Sequence, residues 1–186
     1  MRRRGADACI GEVEIANQQA GLAVAARQLR RTVRHVLRRE GVRGATVSVA
    51  VVDDGAMRRL ERQWVGKGRA TDVLSFDLGG EKSGSAASGG GRNKRGGSRV
   101  GAAGRRRVDC EIVVNGERAA RVSRRGGWAA AGELHLYLVH GLLHQLGFDD
   151  RTASEAREMH QREDHLLEEL GFGRVYAAAG ARGSAP

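Results

Sequence analysis

The sequence predicts an α+β domain: a single mixed β-sheet of about four strands packed by helices, with a buried helix in the C-terminal half. Three observations lead there. Short β-branched runs fall early and most long helical patterns fall late, the order of a segregated sheet-and-helix fold. At 186 residues the chain suffices for one domain with a sizeable core. Aromatic residues make up only 4%, so that core must rest on Leu, Val, Ile and Ala.

A weak alternation from Glu12 to Ala16 predicts a first strand. Ala20 to Arg39 carries Leu22, Ala25, Leu29, Val33 and Leu37 at helical spacing with arginines opposite, an amphipathic helix that Gly41 would stop. Ala45 to Val52 is β-branched and reads as a strand ended by Asp53, Asp54 and Gly55. A short helix from Ala56 to Trp64 follows, then a strand from Val73 to Phe76. Cys110 to Val114 is the last strand, expected to lie beside Val73–Phe76 in the sheet. Glu117 to Ser123 is a brief helix, broken by Gly126 and Gly127. Ala129 to Leu146 is a long helix, apolar around most of its circumference and therefore buried. Thr152 or Ser154 caps a final helix running to Leu170, with Gly171 as its terminator.

Between Gly79 and Arg107 the composition collapses to Gly, Ser, Ala and Arg, with ten glycines. Such a stretch cannot bury enough apolar surface to offset its ordering entropy. The expected organisation is one domain over residues 11–175, with a disordered insertion at 79–107 and disordered ends at 1–10 and 176–186. The insertion holds eight Lys or Arg against one Glu, so it supplies +7 of the chain's net +10. A basic loop of this kind either favours polyanions through counterion release or is simply a solvated insertion. Cys9 and Cys110 show no paired spacing, which fits a reducing cytoplasm. Glu12 and Glu14 interrupt the region where a signal peptide's apolar stretch would follow Met1-Arg-Arg-Arg4, and no segment has membrane-spanning composition. The expectation is a cytoplasmic protein with no membrane association.

The chemistry concentrates in HGLLHQLGFDD, His140 to Asp150. Histidines four apart rise from one helix face on consecutive turns. Gly147 can end the helix in a left-handed conformation, letting the chain return Asp150 to the imidazoles. Two imidazole nitrogens and a carboxylate leave a fourth position open, the pattern of a catalytic zinc site. The competing reading has both histidines contacting the sheet while Asp149 and Asp150 cap the next helix. The H-E-x-x-H peptidase signature differs at one place, because Gly141 stands where it carries its Glu general base. No general base is assigned; Glu111 and Glu133 are the candidates. His135, on another face of the helix, and His160 and His165, in the charged last helix, are left outside the site.

These residues resemble the YbeY endoribonucleases, or rRNA maturation factors, whose metal motif has the form H-G-x-L-H-x-x-G-[YF]-D-H. His140 to Asp149 match it. Thr71-Asp-Val-Leu-Ser-Phe76 resembles the family's T-[DN]-V-L-S-F strand, and Glu111-Ile-Val-Val114 its G-D-I-V-I strand. Glu155-Ala-x-x-Met159 and Leu167 to Gly171 are similar to its C-terminal helix. The resemblance spans roughly Val47 to Gly171. It implies an α+β fold and a Zn2+-dependent endoribonuclease that cuts single-stranded RNA. It further implies processing of the 16S rRNA 3′ end, ribosome quality control, and the small ribosomal subunit as partner. His140, His144 and Asp150 would be the metal ligands, with Asp149 the alternative third.

The sequence departs from the family pattern twice. Asp150 stands where the family usually has His, adding negative charge that should make a metal-bound water less acidic and so bears on ligand affinity and the pH optimum. Val65 stands at a position where the family often carries Arg. Arg62, Lys67 and Arg69 are the candidates to meet RNA in its place. Two rival functions accompany this reading: a metallopeptidase of zincin-like geometry, and a non-catalytic ribosome-assembly factor with a structural metal.

Overall fold

Strand β1 (Val13–Asn17) runs parallel to β2 (Gly44–Val52), and β2 parallel to β4 (Arg107–Asn115). The edge strand β3 (Val73–Asp77) pairs antiparallel with β4, giving the order β1-β2-β4-β3. Among the described residues five helices accompany the sheet: α1 (Ala26–Arg39), α2 (Asp54–Trp64), α3 (Gly116–Gly126), α4 (Ala130–Gln145) and α5 (Ala153–Leu170). This computed structural model describes residues 10–66, 68–79 and 107–173. The segments expected to be disordered (1–10, 79–107 and 176–186) fall almost wholly outside them. Among the described residues, no helix is long and apolar enough to cross a membrane.

Strand alternation sorts the core onto two faces. Val47, Val49, Val51, Cys110, Ile112 and Val114 point to one side, where they pack with Leu29, Val33 and Leu37 of α1, the leucines of α4, and Met159, Leu166 and Leu167 of α5. Val52, Leu74 and Val113 point to the other and pack with Met57 of α2. Cys110 is fully enclosed, and burial pushes its thiol up to about 12, so it is inert as a nucleophile.

Helix α4 is the centre of the fold. Leu138, Leu142 and Leu143 are completely buried, each worth about 1.5–3 kcal/mol relative to exposure. Its backbone lies close against the sheet at Gly141. A Cβ there would stand 2.9 Å from Val73 Cγ2 and 3.0 Å from Ile112 Cγ2. The helix ends at Leu146, and Gly147 at φ 95° lets Phe148 N–H return to the Leu143 carbonyl at 3.0 Å.

The elements follow the sequence closely, with corrections at their ends. Helix α1 starts at Ala26 rather than Ala20. The Gln19 side chain holds both the N–H and the carbonyl of Leu22 at 2.8 and 2.9 Å, fixing a turn where the periodicity predicts helix. Asp53 does not merely end β2; its carboxylate accepts from Ala56 N–H at 2.7 Å and caps α2 two residues early. Thr152, not Ser154, caps α5 and forms a capping box with Glu155. Asp149 and Asp150 are thus not the caps of that helix.

Candidate metal centre

The centre lies at the C-terminal end of α4 and the turn that follows. His140 and His144, one turn apart, bring their Nε2 atoms to 3.0 Å. The Gly147 turn returns Asp150 so that its two carboxylate oxygens stand 4.0 Å from the two Nε2 atoms. One ligand atom from each of the three residues lies within 4.8 Å of the others, the one such group of three or more among the described residues. Asp149 faces elsewhere: its carboxylate pairs with Arg151 at 3.0 Å and accepts from the Asp150 N–H at 2.9 Å.

The far side of each imidazole is already committed. His140 Nδ1 is 2.7 Å from Glu163 Oε1, and His144 Nδ1 is 3.1 Å from the Phe148 carbonyl. Both partners are placed to accept, so in the neutral rings both Nδ1 atoms carry the proton and both Nε2 atoms present lone pairs. Two lone pairs 3.0 Å apart, with a carboxylate facing them, repel unless a cation or a shared proton lies between. The donor set therefore fits a divalent metal of the zinc type, with side chains half-open to solvent on the Asp150 side.

Burial and neighbouring charges set the two imidazoles apart. Burial is the largest single influence on His140 and lowers its pKa. The hydrogen bond and charge of Glu163, with Asp150 and Asp72, outweigh it and hold the imidazole above its ordinary range. His144 is held below that range by burial and by its neighbour His140. Burial pushes Glu163 up against the pull of His140.

Glu163 is the residue that the sequence reading missed. It sits in α5 at a position shared with Met159, Leu166 and Leu167, the helix's buried stripe, and is itself fully enclosed. A carboxylate interrupting an apolar stripe at i+4 from one member was the available signal.

The other candidates are not brought to this cluster. Glu111 pairs across the ladder with Ser48 and Phe76, and alternation turns it away from the face on which Ile112 meets α4. Glu133 is buried in the first turn of α4, accepting from Trp128 Nε1 at 2.8 Å; burial raises its carboxyl despite that bond. Arg62 and Arg69 are exposed at the end of α2 and in the segment leading to β3; Lys67 lies outside the described residues. His135 is buried, bonded to Thr32 Oγ1 at 2.8 Å and stacked on Phe172, and takes no part in the centre. Gln145 Nε2 donates to Ser75 Oγ at 2.8 Å, fixing the end of α4 against β3 within the Thr71–Phe76 motif.

Comparison with known proteins bears on this arrangement. The solution structure of TM1509 from Thermotoga maritima is similar in fold, with a TM-score of 0.53 at 20% identity, covering 85% of this chain and 88% of that one. The endoribonuclease YbeY of Salinispora tropica is 36% identical over 156 residues, 83% of this chain and 93% of the relative. That of Moorella thermoacetica is 36% identical over 172 residues, 88% and 99% of the two chains. An Anaeromyxobacter relative of the same name is 37% identical over 148 residues, 80% of this chain but 66% of its own length. The family model described as endoribonuclease YbeY matches residues 14–171, which include every strand but the first residue of β1, every helix and all three clustered side chains. By that match and these relatives, the chain belongs to the YbeY endoribonuclease family.

Proposed function

We propose that this protein is a zinc-dependent endoribonuclease that cuts single-stranded RNA during rRNA maturation at the 16S 3′ end. In the same reading it acts in ribosome quality control on the small ribosomal subunit, in the cytoplasm. One observation carries the metal-dependent part: two imidazoles whose Nδ1 protons are spent on Glu163 and Phe148 aim free Nε2 atoms at one point, faced by Asp150. Family membership supports RNA as the substrate class.

His140, His144 and Asp150 would hold the ion. When bound, zinc supplies Lewis acidity toward a scissile phosphate. Glu163 and the Phe148 carbonyl fix the two ring orientations, so the ligands need little rearrangement to take up the ion. Asp150, exposed on the solvent side, keeps the entry open. Arg62 and Arg69 are exposed cations available to RNA phosphates near the Val65 position. A peptidase reading is disfavoured by Gly141: a side chain there would run into Val73 and Ile112 rather than reach a substrate.

Elemental analysis beside an RNA-cleavage assay tests the proposal. Wild type should carry about one zinc per chain. His144→Ala and Asp150→Ala should lose it, and cleavage with it, while their circular dichroism stays that of a folded chain. Full RNA cleavage by a folded, metal-free His144→Ala variant would overturn the mechanism.

A further inference from the structure

Helix α1 carries six arginines and no acidic residue. Arg27, Arg31, Arg34 and Arg38 recur at spacings of four, three and four, so they form one ridge, about 16 Å long, opposite the buried Leu29, Val33, Val36 and Leu37. All four are exposed. The remaining two arginines are occupied: Arg30 donates to the Val13 carbonyl at 3.3 Å, and Arg39 pairs with Glu169 at 2.9 Å. The guanidinium groups of the ridge make no hydrogen bond or ion pair with any described residue. The remainder of the chain, outside the described residues, holds only two acids, Asp7 and Glu81. Glu12 and Glu14 flank Val13, so alternation points them away from the sheet face that α1 covers.

We propose that this ridge is a second RNA-contact surface, gripping phosphates of the RNA outside the segment held at the metal centre. The inference rests on the endoribonuclease reading. Four unpaired guanidiniums along one line would repel one another without a polyanion, and each offers a fork of donors to phosphate oxygens. A membrane surface fits poorly, because every apolar side chain between Leu29 and Leu37 is already buried and none is left to enter a bilayer. A protein partner fits poorly as well: the ridge has no aromatic or aliphatic anchor at its centre, and stable protein interfaces are built on such anchors. Phosphate binding needs neither. It supplies affinity without base specificity, as suits a surface that positions a large RNA while the metal centre selects the bond.

The test uses the full chain, loaded with zinc, and two variants: Arg27, Arg31, Arg34 and Arg38 all changed to Gln, or all changed to Lys. Binding to an RNA hairpin with a single-stranded tail is followed across salt concentrations, with polyglutamate as a second polyanion. The Gln variant should bind the hairpin at least about ten-fold more weakly at low salt, and its log–log salt slope should flatten by about three. The Lys variant should recover both. Zinc content, and cleavage of a short single-stranded oligonucleotide, should match wild type in each. An unchanged affinity and slope in the Gln variant overturns the proposal. So does an equal loss in the Lys variant, which would mean the charge is not what matters. A loss confined to polyglutamate assigns the ridge to an acidic protein surface instead. A wild type that carries zinc but neither binds nor cuts RNA overturns the endoribonuclease reading, and the ridge proposal with it.

Discussion

A carboxylate taken out of water needs compensation, and Glu163 receives it from His140 on one oxygen alone among the described residues. That residue should therefore matter to the ion more than its distance from it suggests. Glu163→Gln keeps the shape and an acceptor but removes the charge that makes His140 a strong ligand. Zinc affinity measured by chelator competition should fall by about 10–100-fold with the metal-free fold intact. An affinity equal to wild type would show that Glu163 only packs α5. The clustering of His140, His144 and Asp150 was legible in the sequence because all three fall within eleven consecutive residues, where helix geometry and one glycine decide their placement. Glu163 was not, since its meeting with His140 depends on how α5 docks against α4, 23 residues away.

Among the elements, α4 is fixed more tightly than its polar ends suggest. The approach of its backbone to β3 and β4 at Gly141 leaves no room for a Cβ. Gly141→Ala should cost about 1–3 kcal/mol in urea unfolding, because gain in helix propensity is outweighed by displacing Val73 and Ile112. The same shift would draw His140 and His144 off their partners, so zinc content should fall as well. A stabilised variant with full zinc would contradict this packing. The long apolar periodicity of α4 and the β-branched runs of β2 and β4 reveal themselves in sequence because burial dictates them. Starts of helices are less legible. The turn at Gln19 and Leu22 and the cap at Asp53 are local side-chain bonds that compete with periodicity and win.

Across the whole molecule, stability should depend on pH through His135. Burial lowers its pKa to about 4 from an ordinary value of 6.5, so it is neutral when folded. The unfolded state takes up its proton first as pH falls. The contribution is thus fully present above pH 6.5 and is lost as pH drops toward 4, about 3 kcal/mol in all. In urea melts the advantage of wild type over His135→Gln should shrink by roughly that amount between pH 7 and pH 4. A gap independent of pH would mean that folding does not lower the pKa of this imidazole. The interior that protects His135 is shared by α1, α4 and Phe172 beyond α5, so this titration reports on the packing of those three together.

The dependence of His140 on Glu163 also has an order in time. A nascent chain has made all three candidate ligands by Asp150, yet the buttress behind the first imidazole arrives thirteen residues later, on α5. Until that helix has been made and has docked against α4, the site proposed for the ion lacks the partner that orients its first imidazole.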